Sequence, residues 1–190
     1  MAEAAAKRAT YEDVLNAPEN MIAEIIDGDL QLQPRPAARH AAVTSVLGEE
    51  LGPPFKRGRG GPGGWLILDE PEIHLGQDIL VPDLAGWKRE RLPGIFDEAY
   101  FELAPDWLCE VLSPSTEKRD RTDKLRIYAR EGVAHVWLIN PEQRTLEVLR
   151  LHEGKWLALG AYSDDDKVRA EPFDAIELDL ALLWADFLPR

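Results

Sequence analysis

The chain has 190 residues, of which 45% are hydrophobic and 30% charged, a composition that fits one globular domain over residues 1–190. Its 22 basic and 35 acidic residues give a net charge of −13, which argues against a broad, non-specific nucleic-acid coat. The sequence has a single cysteine, no apolar run near the ~20 residues of a membrane span, and no apolar stretch of the kind a secretory signal needs at its N-terminus. We therefore expect a cytoplasmic protein without a membrane segment.

The first half of the sequence predicts short strands and one longer helix. The segment TYEDVL carries Asp13 three residues after Thr10, which is typical of a capped helix start. The segment AEIIDGDLQLQ predicts a β-hairpin around Asp27-Gly28. Apolar residues at helical spacing predict a helix over residues 38–51, and we expect the glycine-rich GRGGPGG to end it. Short strands are then predicted in WLIL, EIHL and ILVPDLAGW.

The second half predicts one helix between strands. The segment DWLCEVL is apolar on both faces, as expected of a central strand, and STEKRDRTDKLRIYAREG predicts a helix that Gly132 closes. Three more strands are predicted in AHVWLIN, TLEVLRL and KWLALGAY, and LALLWADFL predicts a last helix or irregular cap. Strands with a few helices indicate an α/β or α+β fold around a mixed central sheet.

Two carboxylates interrupt apolar strands and are candidates for a functional site. Strand alternation places Glu110 on the same face as Leu108 and Leu112, where a buried carboxylate needs a cation, a metal ion or a hydrogen-bond donor. Asp83 follows Pro82, whose missing N–H is tolerated at a strand edge or a bulge. Two acids at the ends of neighbouring strands could bind Mg²⁺, which takes oxygen ligands and keeps several waters.

A lysine on the next helix completes the candidate site. Lys124 lies one turn before Tyr128, at the border of the apolar stripe, so its side chain can reach back toward the sheet. An acid pair with a lysine is a phosphodiesterase arrangement. In such a site the metal polarises the phosphate and activates water, and the lysine orients the nucleophile or stabilises developing negative charge.

Three segments resemble the Uma-type family of restriction-endonuclease-like proteins, in the PD-(D/E)XK nuclease superfamily: AEIIDGDLQLQPRPAARH, VPDLAGW and DWLCEVLSPSTEKRDRTDKLRIYAREGVAHVWLINP. The resemblance runs over about residues 24–151 in the same motif order. It implies a restriction-endonuclease-like core, a mixed central sheet flanked by helices, with a metal site at one end. It also implies that Asp83 and Glu110 hold Mg²⁺ or Mn²⁺.

The same resemblance extends to further positions and has two departures. Glu24 and His40 stand where the family carries an acid and a histidine near the site. The lysine usually found two residues after the second acid is replaced here by Leu112, and Lys124 fits the place of a lysine that has moved to the next helix. Asn140 stands where an aspartate is expected.

Two classes of function, and a weaker third, follow from these residues. The first is a metal-dependent endonuclease acting on nucleic acid, with DNA the expected substrate and a homodimer the expected assembly. The second is a non-catalytic binding or regulatory protein on the same fold, which the acidic composition and the two departures favour. A third is a metal-dependent hydrolase of a small phosphate ester.

Each candidate residue also has a purely structural interpretation. Glu110 could be satisfied by an arginine or by backbone N–H groups, and Asp83 could simply form a Pro-Asp turn. Lys124 could lie on a solvated helix face, His40 could sit at a helix start, and Glu24 could pair across its hairpin.

Overall fold

The structure, a computed structural model, describes residues 8–95 and 97–188. Most of the N-terminal segment that argues against a secretory signal therefore lies outside the described residues. These residues form five α-helical segments: Tyr11–Leu15 (α1), Ala38–Leu51 (α2), Glu117–Arg119 (α3), Leu125–Arg130 (α4) and Ala181–Trp184 (α5). A π-helical turn, Gly52–Lys56, extends α2, and a second, Asp120–Lys124, joins α3 to α4. Among the described residues, none of the helices is both long and apolar enough to cross a membrane.

The strands fall into three sheets. Their bounds are Met21–Ile26 (β1), Asp29–Pro34 (β2), Trp65–Asp69 (β3), Ile73–Leu75 (β4), Asp78–Leu80 (β5), Leu84–Lys88 (β6), Trp107–Val111 (β7), His135–Asn140 (β8), Thr145–His152 (β9), Lys155–Ser163 (β10), Lys167–Val168 (β11) and Leu178–Asp179 (β12). The main sheet has the order β10-β9-β8-β7-β6-β3, the second sheet the order β2-β1-β5-β4, and β11 pairs with β12. Only β7 and β8 run parallel among these strand pairs, so the main sheet is mixed, as predicted.

Local sequence signals explain several boundaries. Both the backbone N–H and the hydroxyl of Thr10 lie 2.8 Å from Asp13 Oδ2, which fixes the start of α1. Asp27 and Gly28 have φ of 55° and 90°, the left-handed geometry of a two-residue hairpin turn. The helix predicted over residues 38–51 is α2, and Gly132, with φ of 76°, follows the end of α4. These predictions are confirmed.

The strand predicted in ILVPDLAGW is wrong as a single element. It is divided into β5 and β6, which belong to different sheets. Pro82 lies in the break and cannot donate to a ladder. The N–H of Val81, in the break between β5 and β6, donates to the Glu24 carboxylate at 2.9 Å. The break therefore also helps to hold Glu24, one of the predicted site residues.

Each face of the main sheet carries its own hydrophobic cluster. Alternation along β7 points Trp107, Cys109 and Val111 toward α2 and the C-terminal segment, and Leu108 toward α4 and the second sheet. This is the division that the alternation of β7 predicts. Because both faces are covered, Glu110 is 3% exposed although its carboxylate is polar.

An aromatic group fills the α2 side of the sheet. The Phe173 ring lies 4.6 to 5.7 Å, centroid to centroid, from the rings of Phe55, Trp65, Trp107 and Trp137. Gly86 in β6 leaves space for the two tryptophans that flank it, since a Cβ there would lie 3.2 Å from Trp107 and 3.3 Å from Trp65. This packing fixes the relative positions of β3, β6 and β7.

Candidate functional site

The antiparallel pairing of β6 and β7 brings the two predicted acids together at one end of these strands, in the interior of the main sheet. Asp83 immediately precedes β6, and its Oδ2 accepts a hydrogen bond of 2.6 Å from the N–H of Val111, the last residue of β7. Glu110 is the residue before Val111. Both acids border a cavity of about 270 Å³, hereafter the carboxylate cavity, together with His40, Asp120 and Lys124.

Lys124 is the centre of a buried ionic cluster. Its Nζ lies 2.9 Å from Glu24 Oε1, 3.2 Å from Glu110 Oε1 and 3.6 Å from Asp120 Oδ1. All four residues are buried. The hydrogen bonds of a buried ammonium to carboxylates are charge-assisted, so this contact set holds the lysine in one place.

A tyrosine gives Glu110 a second donor. The Tyr128 hydroxyl donates to Glu110 Oε1 at 2.5 Å, on the same oxygen that Lys124 contacts. Within the described part of the chain, Glu110 Oε2 accepts no hydrogen bond. Glu110 is therefore tolerated in an apolar strand because a cation and a hydroxyl bind one of its oxygens.

The cluster has more negative than positive groups. Burial raises the pKa of Glu110 well above its ordinary value, against the opposing effect of Lys124. Burial likewise raises the pKa of Asp120, while Lys124 and a hydrogen bond from Thr116 act against it. For Lys124, burial acts to lower the pKa, but the carboxylates of Glu110 and Glu24 outweigh it and the pKa lies well above the usual value. The raised pKa of Lys124 favours its charged form, whereas the raised pKa values of Glu110 and Asp120 show that burial disfavours their charged forms.

His40 holds the other acid. Its Nε2 lies 3.1 Å from Asp83 Oδ1, and both side chains are 14% exposed. Burial acts to lower the pKa of His40, but Asp83 and a backbone contact with Val111 raise it above the ordinary value. The Nδ1 atom is buried without a hydrogen-bond partner among the described residues. Asp83 is thus fixed by a histidine on one oxygen and a backbone N–H on the other.

The structure brings all five residues named from the sequence, Glu24, His40, Asp83, Glu110 and Lys124, to one place. Glu24 is completely buried and reaches the site through Lys124; its contact across the hairpin, with Gln33, is longer at 3.4 Å. Their catalytic roles remain predictions.

Sequence reasoning missed two members of the cluster, Asp120 and Tyr128. A signal for them exists, because Asp120, Lys124 and Tyr128 are spaced by four residues and so lie on one face of the helical segment. All three are buried, and that face points at Glu110.

The two departures from the family pattern have local explanations. Leu112 is 3% exposed and packs in the cluster on the α4 side of the sheet. The Oδ1 atom of Asn140 accepts hydrogen bonds of 3.0 Å from the N–H groups of Glu142 and Gln143, which closes the turn between β8 and β9. Asn140 does not border the carboxylate cavity as the described residues form it.

The donor set of the carboxylate cavity fits a hard divalent cation. Among the described residues, no group of three or more His, Cys, Asp or Glu is placed to hold a metal ion by itself. Mg²⁺ needs only one or two carboxylates, since it keeps several waters. Asp83 and Glu110 could supply two, and Glu110 Oε2 accepts no hydrogen bond from the residues that the structure describes. A divalent cation would also reduce the excess of negative charge that burial makes costly.

Comparison with known proteins places the chain among nuclease-like proteins. The sequence model of the Uma2 family, described as a putative restriction endonuclease, matches residues 8–182. The fold is similar to a crystal structure described as a putative nuclease belonging to DUF820 from Anabaena variabilis ATCC 29413, with a TM-score of 0.71 and 24% sequence identity. The match covers 93% of this chain and 98% of that one. No curated protein matches the chain.

Proposed function

Because the chain belongs to the Uma2 family of putative restriction endonucleases, we propose that it is a metal-dependent nuclease that hydrolyses phosphodiester bonds in nucleic acid, with DNA the expected substrate. The observation that carries the proposal is the carboxylate cavity itself. Two acids from adjacent strands border it, and a buried lysine touches the second acid. This is the set of groups that hydrolysis of a phosphodiester by a metal-activated water needs.

Asp83 and Glu110 would hold Mg²⁺ or Mn²⁺. When bound, the metal would polarise the phosphate and lower the pKa of a coordinated water. The residues of the chain contribute the geometry. The Val111 N–H and His40 fix Asp83, and Lys124 with Tyr128 fixes one oxygen of Glu110, so both carboxylates are pre-organised.

Lys124 would act as a fixed cation and not as a base. Because its pKa lies well above the usual lysine value, it keeps its proton at neutral pH. Its contact with Asp120, at 3.6 Å, is longer than a hydrogen bond, so one N–H would be left to orient the attacking water, and the ammonium charge would offset the negative charge that develops on the phosphate. Glu24 and Asp120 hold the ammonium in place and act as positioning residues.

His40 would assist at the margin of the site. It borders the carboxylate cavity, and its contact with Asp83 raises its pKa above the ordinary value against the opposing effect of burial. A protonated His40 would strengthen its contact with Asp83 and could supply a proton to the departing oxygen.

A cleavage assay tests the proposal. Supercoiled plasmid and single-stranded DNA are incubated with Mg²⁺ or Mn²⁺ and the wild type, Asp83→Asn, Glu110→Gln or Asp106→Asn. Asp106 is a matched control, because it is a buried acid that accepts a hydrogen bond from the Lys88 N–H, outside the carboxylate cavity. Cleavage by the wild type and the control, lost by at least a hundredfold in the two site variants, is expected. Cleavage that survives Asp83→Asn and Glu110→Gln would refute the site.

A binding or regulatory protein on the same fold is the second candidate. It is favoured by the net charge of −13, which opposes the approach of a polyanion. Such a protein would bind its partner equally well when Asp83 or Glu110 is neutralised. The cleavage assay distinguishes the two candidates, because only the nuclease needs both acids and the metal.

The proposed assembly is a homodimer. The nine-residue strand β10 is an edge strand of the main sheet, and Leu157 on it is 46% exposed. An exposed edge of low charge can pair with a second copy. Sedimentation equilibrium of the wild type and Leu157→Lys measures this, and a wild type that stays monomeric at high concentration would contradict it.

A further inference from the structure

Two cavities meet at one end of α2. The carboxylate cavity shares Arg35, Pro36 and His40 with a second cavity of about 450 Å³. The second cavity lies between α2 and the turn after β3, and Asp69 and Glu70 border it. A chain of nucleotides with its reactive phosphate in the first cavity can therefore place a neighbouring unit in the second, with the shared residues between them.

A phosphate entering this site needs a cation that is free to bind it. Three cationic or titratable basic side chains border the carboxylate cavity: Arg35, His40 and Lys124. Lys124 is buried and occupied by three carboxylates, and His40 is occupied by Asp83. Arg35 is different, since its side chain is 63% exposed and its one ion pair among the described residues is a long contact of 3.9 Å with Glu70 Oε2.

Glu70 is held in an unusual backbone conformation beside Asp83. Its φ is 44°, in the left-handed region that favours glycine. Its N–H donates to the carbonyl of Asp83 at 3.0 Å. The backbone of Glu70 is thus tied to Asp83, while its side chain reaches Arg35.

We propose that Arg35 binds a phosphate of the substrate strand at the junction of the two cavities, and that Glu70 holds Arg35 there until the phosphate replaces it. The inference rests on the proposed function, because the ligand is the nucleic-acid strand that the nuclease would cut. The guanidinium suits this task, since its planar N–H groups bind two phosphate oxygens at once. The weak, exposed pair with Glu70 is easily exchanged for a phosphate.

The test measures binding separately from cleavage. Fluorescence anisotropy of a short labelled DNA duplex, with Ca²⁺ in place of Mg²⁺ and over a series of KCl concentrations, compares the wild type with Arg35→Gln, Glu70→Gln and the double variant. Arg169→Gln and Glu90→Gln are controls that make the same charge changes at exposed positions outside both cavities. Plasmid cleavage with Mn²⁺ is measured on the same proteins.

Opposite signs are expected for the two single variants. Arg35→Gln should weaken binding roughly fivefold to tenfold and reduce the salt dependence by about one phosphate contact. Glu70→Gln should tighten binding, because it releases the arginine, and this gain should vanish in the double variant. A gain that persists without Arg35 would mean that Glu70 acts only by general repulsion, which overturns its role.

The remaining outcomes separate this inference from the proposed function. If the wild type cuts DNA but Arg35→Gln binds it like the Arg169 control, the inference is wrong and the nuclease proposal stands. If the wild type binds without cutting and the two variants shift affinity as expected, the phosphate site stands and the nuclease proposal fails. A wild type that neither binds nor cuts overturns both.

Discussion

Lys124 is the single residue that contributes most to the electrostatics of the site. Its ammonium contacts the buried carboxylates of Glu24, Glu110 and Asp120, and a fourth acid, Asp83, borders the carboxylate cavity together with it. Removing one partner of a buried ion pair leaves a buried charge uncompensated. The loss of folding free energy is then larger than the stabilisation that the intact pair provides. We therefore expect the lysine to stabilise the fold in addition to its proposed role in catalysis.

Lys124→Met should destabilise the protein strongly. Three buried carboxylates would lose their cation, and we expect the free energy of unfolding to fall by about 3–5 kcal/mol. Urea denaturation followed by tryptophan fluorescence measures it. Lys118→Met is the matched control, because Lys118 is an exposed lysine of the same helical segment and should change stability by less than about 0.5 kcal/mol. Equal stability of the two variants would contradict the account.

Glu110→Gln should change how stability depends on pH. The pKa of Glu110 is raised well above 4.5 in the folded protein, so the folded state binds this proton more tightly than the unfolded state. Its contribution to stability is complete below about pH 4.5 and is lost as the pH rises through the raised pKa. The Tm of the metal-free wild type should therefore fall relative to that of Glu110→Gln from about pH 4.5 upward. A difference in Tm that does not vary with pH would be inconsistent with a raised pKa.

At the element scale, β6 and β7 connect the core to the site. Gly86 lets Trp65 and Trp107 approach β6, and in the register of β6 and β7 Leu84 lies opposite Cys109. Asp83, one residue before Leu84, accepts a hydrogen bond from the N–H of Val111, two residues after Cys109. A shift of β6 against β7 would therefore separate the two acids, so packing on the α2 side of the sheet governs the geometry of the cavity.

Gly86→Ala should destabilise the protein by about 1–3 kcal/mol, because the added Cβ would press on two tryptophans that cannot move in a packed core. Gly48→Ala is the control, because its expected effect on stability has the opposite sign. Gly48 lies inside α2, and a Cβ there would make an ordinary contact of 3.5 Å with Asp69 Oδ1. Alanine should stabilise that helix by about 0.5–1 kcal/mol. Thermal unfolding of both variants measures the two effects, and equal Tm values would count against the packing argument.

Regular elements were the most predictable part of the fold. The helix α2 and the hairpin around Asp27-Gly28 follow from periodicity and turn chemistry, which are local properties. The division of ILVPDLAGW into two strands is not local, because it depends on the partner sheet that each half finds. Pro82 indicates where the strand breaks, but the tertiary contacts of the two halves determine that they join different sheets.

The two acids of the site can be predicted from the sequence, whereas the residues that contact them are harder to predict. Asp83 and Glu110 stand out because a carboxylate in an apolar strand needs an explanation. Tyr128 and Asp120 are part of that explanation. Their four-residue spacing from Lys124 predicts that they join the site only once the helix is known to face the sheet. The contact between Glu24 and Lys124 joins residues far apart in sequence, so periodicity alone could not find it.

The whole molecule carries an excess of negative charge, both over the sequence and inside the cavity. A net charge of −13 opposes the approach of a polyanion, so nucleic acid would bind only where cations are concentrated. Arg35 at the mouth of the cavity and a divalent cation between the acids would supply that charge locally. Metal binding should therefore precede or accompany substrate binding.

The most direct measurement is a calorimetric titration of Mn²⁺ into the wild type, Asp83→Asn, Glu110→Gln and the control Asp106→Asn. We expect saturable binding of Mn²⁺ to the wild type and the control. Affinity should fall at least tenfold in both site variants, because each removes one of two carboxylate ligands. Absence of binding to the wild type in the presence of a DNA duplex, or equal binding to all four proteins, would contradict the metal site.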